Sequence, residues 1–278
     1  MEFKYFDAHC HLHDREFDMD REAILARMKE KEIGAIVVGT KKRSSKEAVE
    51  FAEAHENIFA TVGVHPTDSK EKWDEAYFEN LASKEKVVAI GECGLDYFRI
   101  KNQEVRSKEV GEEKERQKEL FKKHLELSVK IGKPLMIHCR SSIKTEDAHN
   151  DLLEILLPAK EKYGEKLRGN MHFFTGSAEL GQKFIDIEFS LSFPGVITFS
   201  RELREEMVKL PLQNILCETD SPYASPVPYR GQRNEPTFVV EVAEKIASLR
   251  VDAGDETREE VLTALVANDE RIFLKFLK

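Results

Sequence analysis

The sequence predicts an α/β protein of the (β/α)8 barrel type, and two observations carry this prediction. Eight short runs of β-forming residues alternate with stretches of helical spacing along the 278 residues. Histidines and acidic residues lie at the ends of six of these runs or directly after them, as expected where the carboxyl ends of barrel strands carry a site. A doubly wound open sheet is the alternative, but it usually has fewer strands, and no GxGxxG motif follows the first run. We expect one domain over residues 1–278.

The eight runs are expected to form the barrel strands in chain order. They lie at 3–8, 34–39, 58–64, 87–91, 134–138, 168–173, 187–193 and 214–218. Between the second and third runs, Ser44 and Glu47 have the spacing of a capping box and predict a helix containing Ala48. Before the fifth run, a helical face that includes Leu120 and His124 is expected to end at Gly132.

Two helix starts are predicted near the C-terminus. Ser200 has the position of a helix N-cap ahead of Leu203, and Thr257 with Glu260 has the capping-box spacing that opens the last helix. The predicted helices therefore separate the strands throughout, which a parallel barrel requires.

Composition and charge exclude several classes of protein. The formal net charge of −9 argues against a protein that coats nucleic acid through bulk positive charge. No apolar run approaches the roughly 20 residues of a membrane helix, and the N-terminus "MEFKYFDAHC" is too polar for a secretory signal. We expect a cytoplasmic protein without a membrane partner. The four cysteines have no CxxC spacing and are expected to be reduced thiols.

The polar groups at the strand ends are of the kinds that bind metal ions. In chain order they are His9, His11, His65, Glu92, His138, His172 and Asp220. Side chains alternate along a strand, so His9 and His11 are expected to face the barrel mouth while Cys10 faces away. Asp7 is expected to support the site from the strand end, with direct ligation as the alternative. His65 can be a ligand, a substrate contact or a turn residue, and we favour substrate contact.

Imidazole and carboxylate together suit divalent ions such as Mg, Mn or Zn. Four histidines and two carboxylates are too many for one ion with an open position, so the set predicts two ions. Glu92 is the natural bridge, because its strand lies between those that carry the two sets of histidines. Two ions can activate a water between them for an in-line displacement.

These motifs give the chain a resemblance to the TatD-like metal-dependent deoxyribonucleases of the amidohydrolase superfamily. The matching stretches are "DAHCHL" (7–12), "VGVHP" (62–66), "IGECGLDY" (90–97), "IHCR" (137–140), "HFFTG" (172–176), "ETDSPY" (218–223) and "RGQRNEP" (230–236). The resemblance implies a TIM barrel with two metals. It assigns His9, His11, Glu92 and Asp220 to one metal, and Glu92, His138 and His172 to the other. Glu92 stands where many superfamily relatives have a carboxylated lysine.

The activity that we expect is 3′–5′ exonucleolytic hydrolysis of DNA, mainly single-stranded, by a monomer. Asp220 and Glu92 are the expected catalytic residues. The resemblance implies that His65 and Arg140 face the substrate phosphate, and Arg230 and Arg233 are further candidates for neutralising its charge. Tyr97, Phe174 and Tyr223 are candidates for stacking on a base, although packing is the more common use of such rings.

Two alternatives stay open. One is hydrolysis of an ester or amide by a related enzyme, for example an aminoacyl-tRNA deacylase, because the fold alone does not choose the substrate. The other is a metal protein that holds nucleic acid or a partner without turnover.

The stretch at 99–118 departs from the family pattern and is strongly charged. It is expected either to extend a solvated helix or to contact a DNA backbone through Arg99, Lys101 and Arg106. A second long stretch, "SSIKTEDAHND", follows "HCR".

Overall fold

A computed structural model describes residues 2–101, 107–254 and 256–275. All eight predicted strands are present, each within a few residues of its expected position. They are β1 (Tyr5–Cys10), β2 (Ile33–Val38), β3 (Ile58–Val62), β4 (Val87–Asp96), β5 (Leu135–Arg140), β6 (Gly169–His172), β7 (Phe189–Phe193) and β8 (Ile215–Cys217). The largest difference is in β4, which was expected to end at residue 91 and continues to Asp96.

The strands form one parallel sheet in sequence order, β1 to β8, which confirms the barrel prediction. The first strand and the segment after the last one meet at the carboxyl end of the sheet. The Asp220 N–H donates to the His9 carbonyl at 2.9 Å, and the His11 N–H donates to the Ser221 carbonyl at 2.8 Å. These bonds bring the two ends of the sheet together at the mouth of the barrel.

Helices follow the strands and cover the outside of the sheet. They are α1 (Arg21–Glu30), α2 (Lys42–Ala54), α3 (Glu75–Ala82), α4 (Tyr97–Lys101), α5 (Ser107–Ile131), α6 (Asp147–Tyr163), α7 (Ala178–Ile185), α8 (Arg201–Met207), α9 (Val239–Ala253) and α10 (Arg258–Asp269). The predicted caps of α8 and α10 are confirmed, since Ser200 accepts from the Leu203 N–H and Thr257 accepts from the Glu260 N–H. Helix α5 ends just before Gly132, as expected.

The predicted start of α2 is wrong. The helix begins at Lys42, and Ser44 is its third residue rather than its N-cap. The Ser44 hydroxyl instead accepts hydrogen bonds from the backbone N–H groups of Thr40 and Lys41, at 2.9 and 3.0 Å. It therefore satisfies donors that precede the helix, so the chain can turn helical earlier than the side-chain pattern indicated.

The described part of the 99–118 stretch is helical and belongs to α4 and α5. Arg106 lies outside the described residues, and the side chain of Lys101 is also outside them. Arg99 is described, and it lies beside the barrel mouth.

Two apolar layers enclose the sheet. The outer layer lies between strands and helices and contains, among others, Val37, Ile90 and Leu265. The inner layer fills the lower barrel with residues such as Phe6 and Ala8, and residues from the C-terminal turn Glu270–Leu274 pack against it. The lower half of the barrel is thus closed by packing, and polar side chains occupy its upper end.

Within the described residues, none of the helices has the length and apolarity needed to cross a membrane. The organisation as one domain over 1–278 includes residues outside the described ranges and stays a prediction.

Candidate metal centre

A bulge in β1 turns His9 toward the barrel mouth. Asp7 pairs with Ala35 and Cys10 pairs with Val37, so β1 has one more residue than β2 in this interval. Ala8 packs in the inner layer and Cys10 in the outer layer. The extra residue lets His9 join the inward-facing side chains immediately after Ala8, which a regular strand does not allow.

A second bulge does the same for Glu92 in β4. Ile90 pairs with Leu135 and Cys93 pairs with Ile137, which again leaves one extra residue. Gly91 lies within this bulge with φ of +154°, and a Cβ at that position would be 2.3 Å from the Met136 carbonyl oxygen. Only glycine fits this backbone, and its presence allows Glu92 to point into the mouth.

Glu92 is buried at the centre of a ring of imidazoles. Its Oε1 lies 3.0 Å from His138 Nδ1, 3.2 Å from His172 Nε2 and 3.4 Å from His65 Nε2. Its Oε2 lies 3.6 Å from His9 Nε2. One carboxylate therefore faces four imidazoles that come from four different strand ends.

Asp220 completes the cluster from the segment after β8. Its Oδ1 lies 3.7 Å from His9 Nε2 and 3.6 Å from His11 Nε2. The residue has φ of +53°, in the left-handed region that few non-glycine residues adopt. The structure thus brings all seven predicted strand-end residues together.

The histidines are oriented by partners on the side away from Glu92. His138 Nε2 lies 3.1 Å from the buried Asp96 carboxylate, and His172 Nδ1 lies 3.2 Å from the buried Glu218 carboxylate. His11 Nδ1 lies 3.1 Å from the Val38 carbonyl oxygen. Such partners fix both the ring orientation and the nitrogen that is presented to a metal.

Sequence reasoning missed Asp96, although a signal for it exists. Glu92, Gly94 and Asp96 follow period two, so a strand that continued past residue 91 would place both acids on one face. Asp7 was expected to support the site, and its carboxylate accepts hydrogen bonds from the Thr219 N–H at 2.8 Å and the Thr219 hydroxyl at 2.6 Å. Asp7 thereby ties β1 to the segment that carries Asp220.

The charges in the cluster are strongly coupled. Burial alone would raise the pKa of Glu92, but the surrounding histidines, His65 and His172 foremost, bring that pKa well below its usual range. Burial lowers the pKa of His9 well below its usual value. Burial also opposes protonation of His11, yet its contact with Asp220 raises its pKa to about 9. In this cluster, contact with a carboxylate thus favours the charged form of an imidazole and burial opposes it.

The residues fit divalent metal ions. Both ring nitrogens of the fully buried His9 have no hydrogen-bond partner within the described part of the chain. An unpartnered buried polar group is costly, and a cation beside Nε2 would satisfy it. Three overlapping groups have ligand atoms within 4.8 Å of one another: His9, His11 and Glu92; His65, Glu92 and His138; and His9, His172 and Glu218. Imidazole and carboxylate donors suit Zn or Mn.

The role of His65 stays a prediction. The structure places its Nε2 among the imidazoles around Glu92, while its Nδ1 lies 2.6 Å from the Thr67 hydroxyl. The residue is in position both for a metal and for a substrate that enters from above.

A cavity of about 540 Å³ opens above the cluster. Arg140 lines this cavity, and its guanidinium lies 3.8 Å from the centre of the Phe98 ring. Arg230 and Arg233 are not among the residues that line it. Arg233 is bound to the Asp20 carboxylate and the Glu16 carbonyl, whereas the guanidinium of Arg230 stacks on Phe199. Of Arg140, Arg230 and Arg233, only Arg140 lines the cavity.

Two of the three candidate stacking rings are packed in the core. Tyr97 is fully buried and its hydroxyl donates to Asp151 at 2.7 Å, and Phe174 is buried in the outer layer. Both follow strands, but their rings turn toward the covering helices. Tyr223 is 58% exposed and lines the cavity, so it alone of the three is accessible.

Comparisons with known proteins agree with this geometry. A profile described as TatD related DNase matches residues 6–274. The chain is 37% identical over 273 residues to the "Uncharacterized metal-dependent hydrolase YabD" of Bacillus subtilis, covering 96% of this chain and 98% of that protein. It is 31% identical to the "3'-5' ssDNA/RNA exonuclease TatD" of Klebsiella pneumoniae, covering 91% and 92%.

A solved structure has the same architecture. YJJV, a TatD homolog from Escherichia coli, superposes with a TM-score of 0.83 at 26% identity, and the match covers 99% of both chains. Since the family profile and the relatives both span nearly the whole sequence, the chain belongs to the TatD related DNase family.

Proposed function

We propose that this protein is a metal-dependent hydrolase that removes nucleotides from the 3′ end of single-stranded DNA. The observation that carries the proposal is Glu92, a buried carboxylate shared by four imidazoles at the bottom of an open cavity. The relative from Klebsiella pneumoniae, named as a 3′–5′ exonuclease on single-stranded DNA and RNA, supports the choice of substrate.

Within the cluster we propose two sets of ligands that share Glu92. His9, His11, Glu92 and Asp220 would hold one divalent ion, and Glu92, His138 and His172 would hold a second. When bound, such ions lower the pKa of a coordinated water and neutralise the charge that develops on the phosphate.

Asp220 is the proposed acceptor of the proton from the attacking water. Its carboxylate lies at the lower edge of the cavity beside His9 and His11. Its side chain is 14% exposed, against 5% for Glu92, so it is the more accessible of the two carboxylates to water. Glu92 keeps its charge at neutral pH because the imidazoles around it lower its pKa, so it serves as the fixed negative centre of the site.

Arg140 is the proposed phosphate contact. Its side chain is exposed at the end of β5, and the Phe98 ring supports the guanidinium from one face. This stacking leaves the N–H groups at the guanidinium edge for two parallel hydrogen bonds to phosphate oxygens. His65 lines the same cavity and is the second proposed contact to this phosphate.

The test uses single-stranded DNA labelled at the 3′ or the 5′ end, with Mg, Mn or Zn added after chelation. We expect metal-dependent shortening from the 3′ end, reduced at least about hundredfold in Asp220→Asn, since loss of a group that binds metal and accepts a proton removes two contributions. The control is Asp186→Asn, which changes an exposed carboxylate at the end of α7.

Absence of cleavage with every metal, in protein shown to bind metal, would contradict the nuclease proposal. In that case an ester or amide substrate, such as an aminoacyl-tRNA, becomes the next substrate to test. Equal loss of activity in Asp186→Asn would show that the effect of Asp220→Asn is not specific to the site.

A further inference from the structure

Large apolar side chains are exposed mainly on the face that carries the cavity. Within the described residues seven such side chains are exposed: Met19, Ile143, Leu157, Phe199, Tyr223, Val227 and Val251. Five of them lie in loops that follow strands, whereas Leu157 and Val251 lie on helices α6 and α9. The apolar exposure is therefore concentrated around the mouth, which marks this face as a place for a ligand.

Three of these side chains lie on two loops that are in direct contact. Phe199 follows β7, and Tyr223 and Val227 follow β8. The Val227 N–H donates to the Thr198 hydroxyl at 2.8 Å. A Cβ at Gly195 would be 2.4 Å from the Ala224 carbonyl oxygen, so the two backbones pack closely. The loops form one continuous surface.

Arg230 adds a charge to this surface. Its guanidinium lies 3.5 Å from the centre of the Phe199 ring. Within the ranges that the structure describes, it forms no ion pair with a carboxylate, in contrast to Arg233, which is bound to Asp20. A guanidinium that is held by a ring and free at its edge is suited to an anionic ligand. We call Phe199, Tyr223, Val227 and Arg230 the shelf.

The shelf begins at the metal cluster. The Tyr223 ring centre lies 6.3 Å from that of His11, and Tyr223 lines the cavity. The Asn234 side chain donates to the carbonyls of Thr219 and Tyr223 at 2.9 and 2.6 Å, which fixes the segment between Asp220 and the shelf. A ligand whose end is held in the cavity can therefore continue across the shelf without a break.

We propose that the shelf binds the unpaired strand of a polynucleotide whose end occupies the cavity. Tyr223 and Phe199 stack on successive bases, and Arg230 contacts a phosphate between them. Rings of this kind reach base faces only in an unpaired strand, because pairing in a duplex hides those faces within the stack. The local arginine also gives an acidic chain a point of attraction for a polyanion. This inference rests on the proposed nuclease function and adds the residues that select single strands.

The test measures binding of fluorescein-labelled oligothymidylates by anisotropy, with metal chelated so that no cleavage occurs. We expect tighter binding of a 12-mer than of a dinucleotide by the unmodified protein. Phe199→Leu keeps an apolar side chain but removes the ring, and it should weaken 12-mer binding about tenfold. Phe199→Trp should restore it. Arg230→Gln should reduce the slope of log K against log salt by about 0.7, the value for one phosphate contact on a single strand.

The controls are Leu157→Ala, an exposed apolar residue on α6, and Lys166→Gln, an exposed charge at the opposite end of the barrel. Neither should change the affinity for the 12-mer. A thermal midpoint equal to that of the unmodified protein shows that each variant is folded. Blunt duplex DNA should bind Phe199→Leu and the unmodified protein equally.

The outcomes separate this inference from the proposed function. Metal-dependent cleavage of DNA together with normal 12-mer binding by Phe199→Leu and Arg230→Gln would overturn the shelf and leave the nuclease proposal in place. If Phe199→Leu weakened the binding of duplex and single-stranded DNA equally, the proposed selectivity of the shelf for unpaired bases would be overturned. A protein that neither binds nor cleaves DNA would overturn both.

Discussion

At the scale of single residues, Asp96 is the partner that orients His138, a proposed metal ligand. It lies on the far side of this imidazole from Glu92. Its carboxylate is fully buried, accepts the Arg99 N–H at 2.8 Å and lies 3.1 Å from His138 Nε2. The negative charge makes the imidazole a better ligand at Nδ1, which is the nitrogen that faces Glu92.

Asp96→Asn should therefore weaken metal binding by about 10- to 100-fold, the usual effect of losing such a partner. The amide keeps the size of the side chain but removes its charge. Titration with Zn or Mn against a chelating dye measures the affinity, and Asp186→Asn serves as the exposed control. An unchanged affinity would show that Asp96 has only a structural role.

The same residues show what sequence could predict at this scale. The seven clustered residues were predictable because each lies at or just after the end of a predicted strand, and a barrel collects strand ends in one place. Asp96 was not, because the end of β4 was expected five residues too early. Tyr97 and Phe174 are buried, in line with packing as the more common use of such rings. Sequence position at a strand end does not by itself determine whether a ring turns outward or toward a helix.

At the scale of elements, His124 joins α5 to the segment after β3. Its Nε2 accepts the Val64 N–H at 2.9 Å, and its Nδ1 donates to the Leu120 carbonyl at 2.8 Å. Only the neutral ring can do both. Burial lowers the pKa of His124 to about 4, and the ring centre lies 4.5 Å from that of Trp73.

His124 should make the fold less stable in acid. The unfolded chain takes up a proton near the ordinary histidine pKa of 6.5, while the folded chain resists until about 4. The contribution of neutral His124 is therefore complete above pH 6.5 and declines as the pH falls toward 4. In that window His124→Gln should lower the pH slope of the unfolding free energy by up to about 1.4 kcal/mol per pH unit.

Urea unfolding at several pH values, followed through the single tryptophan, Trp73, measures this slope. If the variant and the unmodified protein had the same slope, His124 would not be the group that titrates.

The bulges in β1 and β4 are the element-scale features that sequence did not reveal. Period two correctly placed His9 with His11, but it did not show that Ala8 also faces inward. An extra residue in a strand leaves no clear pattern in a single sequence, since the apolar and polar residues on either side remain β-forming. Gly91 is the nearest signal, because glycine within a strand often marks a bulge.

At the scale of the whole molecule, the proposed metal ligands are distributed around the barrel. They come from β1, β4, β5, β6 and the segment after β8. Such a site exists only when the barrel is closed, so metal binding should stabilise the folded state over the unfolded chain. At a metal concentration of about 100 times Kd, the gain is about 2.7 kcal/mol.

The thermal midpoint after chelation should therefore rise when Zn or Mn is restored. In Glu92→Gln, which lacks the shared carboxylate, the rise should be largely lost. A rise of equal size in this variant would indicate that the ions act elsewhere on the acidic surface.

The architecture as a whole was the most predictable level. Eight alternating units in one chain have few other arrangements, and all eight strands were found. The shelf was much less predictable. Phe199 is 24 or more positions from the other three residues along the chain, and only the contact between the loops after β7 and β8 brings it to Tyr223.

The hydrogen bonds from Thr219 to Asp7 join residues 212 positions apart. During synthesis on a ribosome at about 5–20 residues per second, roughly 10–40 s separate the appearance of these two partners. His9 and His11 therefore leave the ribosome long before Asp220 exists. For most of its synthesis the nascent chain therefore carries these two imidazoles without the rest of the site. The full set of proposed ligands is present only after Asp220 has been added. Capture of metal and onset of hydrolytic activity should thus be among the last events in the maturation of this protein.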